Sequence, residues 1–242
     1  MTFTEVFVFS MLAGLSMFGG TALVLFYRQW VREHSVFLIS FAAGVMLTIA
    51  FANLIPQADE IVPNAWRWVF TGFLALYVIQ NMFTFHPCHG EGCEIHQNQL
   101  GVFSIVGLSV HSLLDGAIIA VGFEAGHALG ILTTVAVLLH KMPDGITITS
   151  VLLHTKMTTL KVIKYSAVVA AATPVGAMVA FFFLRGIHPH TLGWLLSVTA
   201  GFFIYLAGAD LLPETHKVRH RANTFFFFSG IAVILAVARV IH

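Results

Sequence analysis

The chain has 242 residues, 58% of them hydrophobic and only 10% charged, with a mean hydropathy of +0.89. A soluble domain carries roughly 25% charged residues, so this sequence cannot cover itself with polar surface and reads as an all-α polytopic membrane protein. The net charge of +1 gives no electrostatic footing for nucleic acid, and two cysteines in one short segment, Cys88 and Cys93, make no disulfide framework.

A spanning helix needs about 20 apolar residues. Eight segments qualify: roughly 4–27, 36–56, 66–85, 100–122, 126–153, 161–185, 191–213 and 223–241. Their connections are short, so residues 1–242 are expected to form one transmembrane domain. No basic residue precedes the first apolar run, which is too long for a signal-peptide core, so a cleavable signal is not expected. The second segment contains "AGVMLTIAFANLIPQA" from Ala43. Between the third and fourth lies "HPCHGEGCEIH", residues 86–96, inside a polar loop over 86–99. Its His86, Cys88, His89, Cys93 and His96 are soft and borderline metal ligands, although their spacing matches no structural zinc module and a solvated loop reads equally well.

The fourth segment carries "VHSLLDGAIIA", residues 110–120, and the fifth "LHKMPDGITIT", residues 139–149. His111 and Asp115 are each followed 29 positions later by the same residue type, His140 and Asp144, with a glycine after each aspartate. Residues i and i+4 share one helix face, so each pair can converge on a point. An aspartate at bilayer depth is costly, by about 2.5–3.5 kcal/mol on insertion scales, and faces a cavity or partner. Two such faces on adjacent helices supply two imidazoles and two carboxylates, a set suited to a borderline dication such as Zn²⁺. Gly116 and Gly145 would let the backbones approach closely.

The seventh segment contains "AGFFIYLAGADLLPET" from Ala200. Gly44 precedes Pro56, and Gly201 precedes Pro213, by the same twelve positions; Asn53 and Asp210 coincide. With an outside N-terminus, the inside loops hold Arg28, Arg32, Lys156, Lys161, Lys164, Lys217, Arg219 and Arg221, against Arg67, Arg185 and Arg239 outside. The positive-inside rule then places both termini outside and the 86–99 loop in the cytoplasm. The second and seventh spans run in opposite directions, which predicts a 3+2+3 inverted repeat, an arrangement that sets a transporter's substrate site near the midplane. Asn53, Asp210 and Glu214 are candidates to line the route.

These motifs resemble those of the ZIP family of divalent-metal transporters, whose fourth and fifth helices commonly carry His-Asn/Ser-x-x-Glu-Gly and His-x-x-Pro-Glu-Gly. "FAAGVML" and "NLIPQA" are similar to the family's second helix, "ATPVG" (172–176) to its sixth and "DLLPET" to its seventh. The resemblance implies eight spans, outside termini, a histidine-rich loop after the third helix, transport by sliding of one helical bundle against another, and His111, Asp115, His140 and Asp144 as core metal ligands. This chain departs from the pattern in three ways. Both signature glutamates are aspartates. Lys141 and Thr173 stand where dinuclear members hold acids, which predicts a second-site position without metal. Ser112 takes a place often held by asparagine.

The expected function is divalent-metal uptake, foremost Zn²⁺ with Cd²⁺, Fe²⁺ or Mn²⁺ as further substrates, toward the cytoplasm of a prokaryote across its plasma (inner) membrane. No catalytic cofactor is expected. The partners are metal ions and the lipid bilayer, and a homodimer is compatible with the sequence. The alternatives are an intramembrane zinc hydrolase, which lacks an H-E-x-x-H motif here and has no group spare as a base, and a bis-histidine haem carrier, disfavoured by carboxylates one turn from each histidine. If the topology is right, a membrane-impermeant thiol reagent should leave Cys88 and Cys93 unmodified in intact cells and label both after lysis. Labelling without lysis would invert the topology.

Overall fold

The computed structural model describes residues 2–83, 96–155, 157–217 and 221–241. They form helices α1 Phe3–Phe26, α2 Arg28–Ile49, α3 Ile55–Ile61, α4 Ala65–Phe83, α5 His96–Ala125, α6 His127–His154, α7 Thr159–Leu184, α8 Pro189–Tyr205, α9 Leu212–Lys217 and α10 Arg221–Ile241, with no strand among the described residues. Among the described residues, seven helical stretches are long and apolar enough to cross a membrane. The segment expected as a third span is helical, as α4, but is not among the seven. Arg67, Gln80 and Asn81 near its ends dilute an otherwise apolar run.

Two of the seven stretches are composite. A π-helical turn, Ala50–Leu54, joins α2 to α3, and another, Leu206–Leu211, joins α8 to α9. The cause lies in the proline that follows each turn. Pro56 and Pro213 have no N–H to donate. The amide before each proline reaches back five residues instead, Ile55 N–H to the Ala50 carbonyl and Leu212 N–H to the Ala207 carbonyl. The widened turn keeps these backbone groups paired within the span. Both turns sit at matching places in the two similar sequence stretches.

The helices sort into two groups. α1, α5, α6 and α7 pack on one another, while α2 packs on α10 and α4 on α8. Small residues set these crossings. A Cβ on Gly20 or Gly145 would run into the facing backbone of α6 or α1, and one on Gly116 or Gly176 into that of α7 or α5. Gly44 and Gly230 do the same for α2 and α10, and Gly72 and Gly201 for α4 and α8. In lipid, helix association depends on such backbone approach because apolar side chains gain little by leaving the tails. The α5–α6 pair therefore has each of its helices locked, by a glycine beside the aspartate, to a further helix of the same group.

Gly116→Val should lower stability by about 1–3 kcal/mol or more, since backbone cannot yield as a side chain does. Gly208→Ala, where a Cβ meets nothing within 4 Å, should leave it unchanged or raise it by up to about 1 kcal/mol. Thermal unfolding of the detergent-solubilised protein reads the difference, and equal midpoints would contradict the close-approach account.

Candidate metal centre

α5 and α6 lie against each other with their polar faces inward. Within α5, His111 Nε2 stands 3.3 Å from Asp115 Oδ2 one turn on. Across the interface, His111 Nε2 is 3.6 Å from Asp144 Oδ2, and His140 Nε2 is 3.3 Å from Asp115 Oδ1. The imidazole rings meet edge to face, with centroids 5.5 Å apart. One ligand atom from each of His111, Asp115, His140 and Asp144 lies within 4.8 Å of all the others. The Asp115 side chain is 1% exposed, His140 is buried, and His111 and Asp144 open partly to a cavity.

His140 Nδ1 lies 2.9 Å from the Ala136 carbonyl. A carbonyl only accepts, so Nδ1 carries a proton, which leaves Nε2, facing Asp115, as the nitrogen able to bind a metal. The buried atoms His140 Nε2 and Asp115 Oδ1 face each other at 3.3 Å. A buried carboxylate needs a cation beside it.

One such cation is on the chain. Lys141, fully buried, places Nζ 2.7 Å from Asp115 Oδ2 and 3.4 Å from Asp144 Oδ2, and donates to Ser112 Oγ at 2.6 Å. Thr173 stands on α7 with its carbonyl against Gly116 and its buried hydroxyl unpaired among the described residues.

A cavity of about 820 Å³ opens between the two helix groups, with His111, His140 and Asp144 at one end and Gln80, Asp210 and Glu214 along its walls. Gln80 Nε2 donates to Asp210 Oδ2 at 2.7 Å. Asp210 and Glu214 thus share a space with the four-residue cluster. Asn53 is apart from it, half-buried on the first π-helical turn, with Oδ1 unpaired among the described residues. His86, Cys88, His89 and Cys93 lie outside the described residues, and of His96 only the backbone is described, at the start of α5. Gln80 was not picked out from sequence; a polar residue inside the apolar run of α4 was the available signal.

The family model for ZIP zinc transporters matches residues 86–238, more than half of the chain and the whole stretch that builds the cluster. The chain belongs to the ZIP family. Zinc transporter ZIP10 of Homo sapiens is 33% identical over 131 residues, which are 53% of this ZIP chain and 16% of the relative. Zinc transporter ZupT of Chlorobium luteolum is 25% identical over a 255-residue alignment that covers 96% of both chains. Zinc transporter ZIP13 of Pongo abelii is 26% identical over 195 residues, 73% of this chain and 57% of the relative. The ZIP chain thus spans a small part of the length of ZIP10 and nearly all of ZupT. ZIP proteins are transporters rather than enzymes, and this one is a polytopic membrane protein.

Proposed function

We propose that this ZIP chain carries Zn²⁺ toward the cytoplasm, binding one ion at a time between α5 and α6 through His111, Asp115, His140 and Asp144. The observation that carries the reading is the convergence of two imidazoles and two carboxylates at the end of a cavity. Two nitrogen and two carboxylate ligands suit Zn²⁺. Cd²⁺, Fe²⁺ and Mn²⁺ are weaker candidates for the same donors. All four groups serve as ligands, so none is spare as the base that a hydrolase needs. The three relatives are named zinc transporters, and the ZupT relative favours the inner membrane of a prokaryote.

In this reading α4 completes eight spans, both termini lie outside, and the first three spans repeat inverted in the last three. The paired π-helical turns and the reciprocal glycine crossings support that arrangement. The cavity supports the direction of release. Ser35 and Ser150 line it near the ends of α2 and α6 that adjoin the basic segments, which the charge rule assigns to the cytoplasm, and Ser104 lines it near the start of α5 on the same side. Asp210 and Glu214 line the inner route, and Asn53, the counterpart of Asp210 in the repeat, lines the outer one. Transport follows when the α1–α5–α6–α7 group slides against the other. Lys141 and Thr173 leave no acid for a second ion, and two dications beside a fixed ammonium would repel strongly in a low dielectric. The cytoplasmic loop with His86, Cys88, His89, Cys93 and His96 is suited to take up released metal.

Asp115→Ala and Asp144→Ala should each cut saturable Zn²⁺ flux into proteoliposomes by more than the roughly 10- to 100-fold that loss of a mere supporting partner brings, with membrane insertion intact. Wild-type flux in either variant would sink the shared-site reading.

A further inference from the structure

Lys141 is the one charged side chain in the cluster that is not itself a metal ligand. It is fully buried, mid-helix, and in contact with both carboxylates and with Ser112. A buried ammonium beside the donors of a cation site is costly for binding, because it repels the incoming ion. Its presence there asks for a compensating role.

We infer that Lys141 is an internal counter-cation that allows the unloaded site to return across the membrane without a co-transported ion. The inference rests on the transport reading above. A carrier has two transits per cycle, one with metal and one without. Imidazoles bind metal in their neutral form. The site then holds one negative charge each on Asp115 and Asp144 and one positive charge on Lys141, which sums to −1 unloaded and +1 with Zn²⁺ bound. Without the lysine the same site is −2 unloaded and neutral when loaded. Born desolvation scales with the square of the charge, so the unloaded site would be about four times as costly to move through the low-dielectric barrier. With the lysine the two transits carry equal and opposite charge, and neither half of the cycle stalls on electrostatics. Ser112 holds the ammonium by a third contact, 2.6 Å away, from the helix that carries Asp115.

The geometry also supplies a matched control. Ser112 follows His111 as Lys141 follows His140, and the two side chains touch. Exchanging them returns the positive charge to the same place from the opposite helix.

Radioactive zinc flux into proteoliposomes separates the two transits. Net uptake into a zinc-free, chelator-containing lumen requires the unloaded return at every turnover. Exchange against a lumen preloaded with saturating unlabelled zinc does not. Lys141→Ser should lower net uptake by at least about tenfold more than it lowers exchange, a difference of one decade in rate, and the swap Ser112→Lys with Lys141→Ser should recover most of that ratio. A lysine that merely positions the carboxylates would change both modes alike, and an equal fall in both overturns the inference. So does a swap that transports in exchange but not in net mode. If Lys141→Ser does not fold, the wild type still decides. Net uptake within about tenfold of exchange is expected, and exchange faster by about a hundredfold or more would show a stalled return. Absence of zinc movement by the wild type in both modes would instead overturn the transport reading itself.

Discussion

Asp115 puts a carboxylate at 1% exposure in the interior of a membrane helix bundle, where an unpartnered charge is not tolerated. Both of its oxygens are engaged by other elements of the site: His111 and Lys141 approach one, and His140 the other. Those partners come from α5 and α6, and they can meet only if the two helices hold a fixed crossing. The crossing is held in turn by Gly116 against α7 and Gly145 against α1. The same short stretch of sequence thus provides the cluster carboxylate and, at the next residue, the packing that keeps it in register with its partners.

The second helix group is built around a different constraint. Pro56 and Pro213 interrupt two spanning helices at corresponding points, and in each case a π-helical turn restores the backbone pairing. The second of these turns carries Asp210 on the cavity wall, oriented by Gln80 from α4. A helix that accommodates a proline by widening also turns its polar residue by a fraction of a turn. The cavity beside the cluster is therefore walled by an irregular helix of one group, while the four cluster residues stand on the other. That division suits a carrier whose site moves with one body past a fixed wall.

The four cluster residues were legible in the sequence because i,i+4 spacing is a local property of a helix, and the repeat of His-x₃-Asp-Gly signalled two equivalent faces. Lys141 was legible as an anomaly, an ammonium beside a histidine in an apolar span, but its contact with Ser112 depends on how α5 crosses α6, which periodicity does not encode. Gln80 escaped for a related reason. A glutamine near a helix end reads as a boundary residue, and only the packing of α4 on α8 brings it to Asp210. The matching Gly and Pro positions of the second and seventh segments were visible, whereas the π-helical turns were not, because they result from the missing proline donor acting within an otherwise regular span. The third segment is marked less clearly. Its apolar middle promised a membrane span, and α4 forms there, but its polar ends keep it out of the seven stretches that length and composition alone mark as able to cross.

The central claim is that α5 and α6 together hold a single zinc ion through two histidines and two aspartates. Anomalous scattering at the zinc absorption edge, from crystals of the intact chain soaked in Zn²⁺, tests it directly. The account predicts one peak between α5 and α6, about 2.0–2.2 Å from a nitrogen or oxygen of His111, Asp115, His140 and Asp144. Two peaks about 3.5–4 Å apart, the usual separation of a two-metal site, or a peak that leaves these four residues uncoordinated, would contradict it.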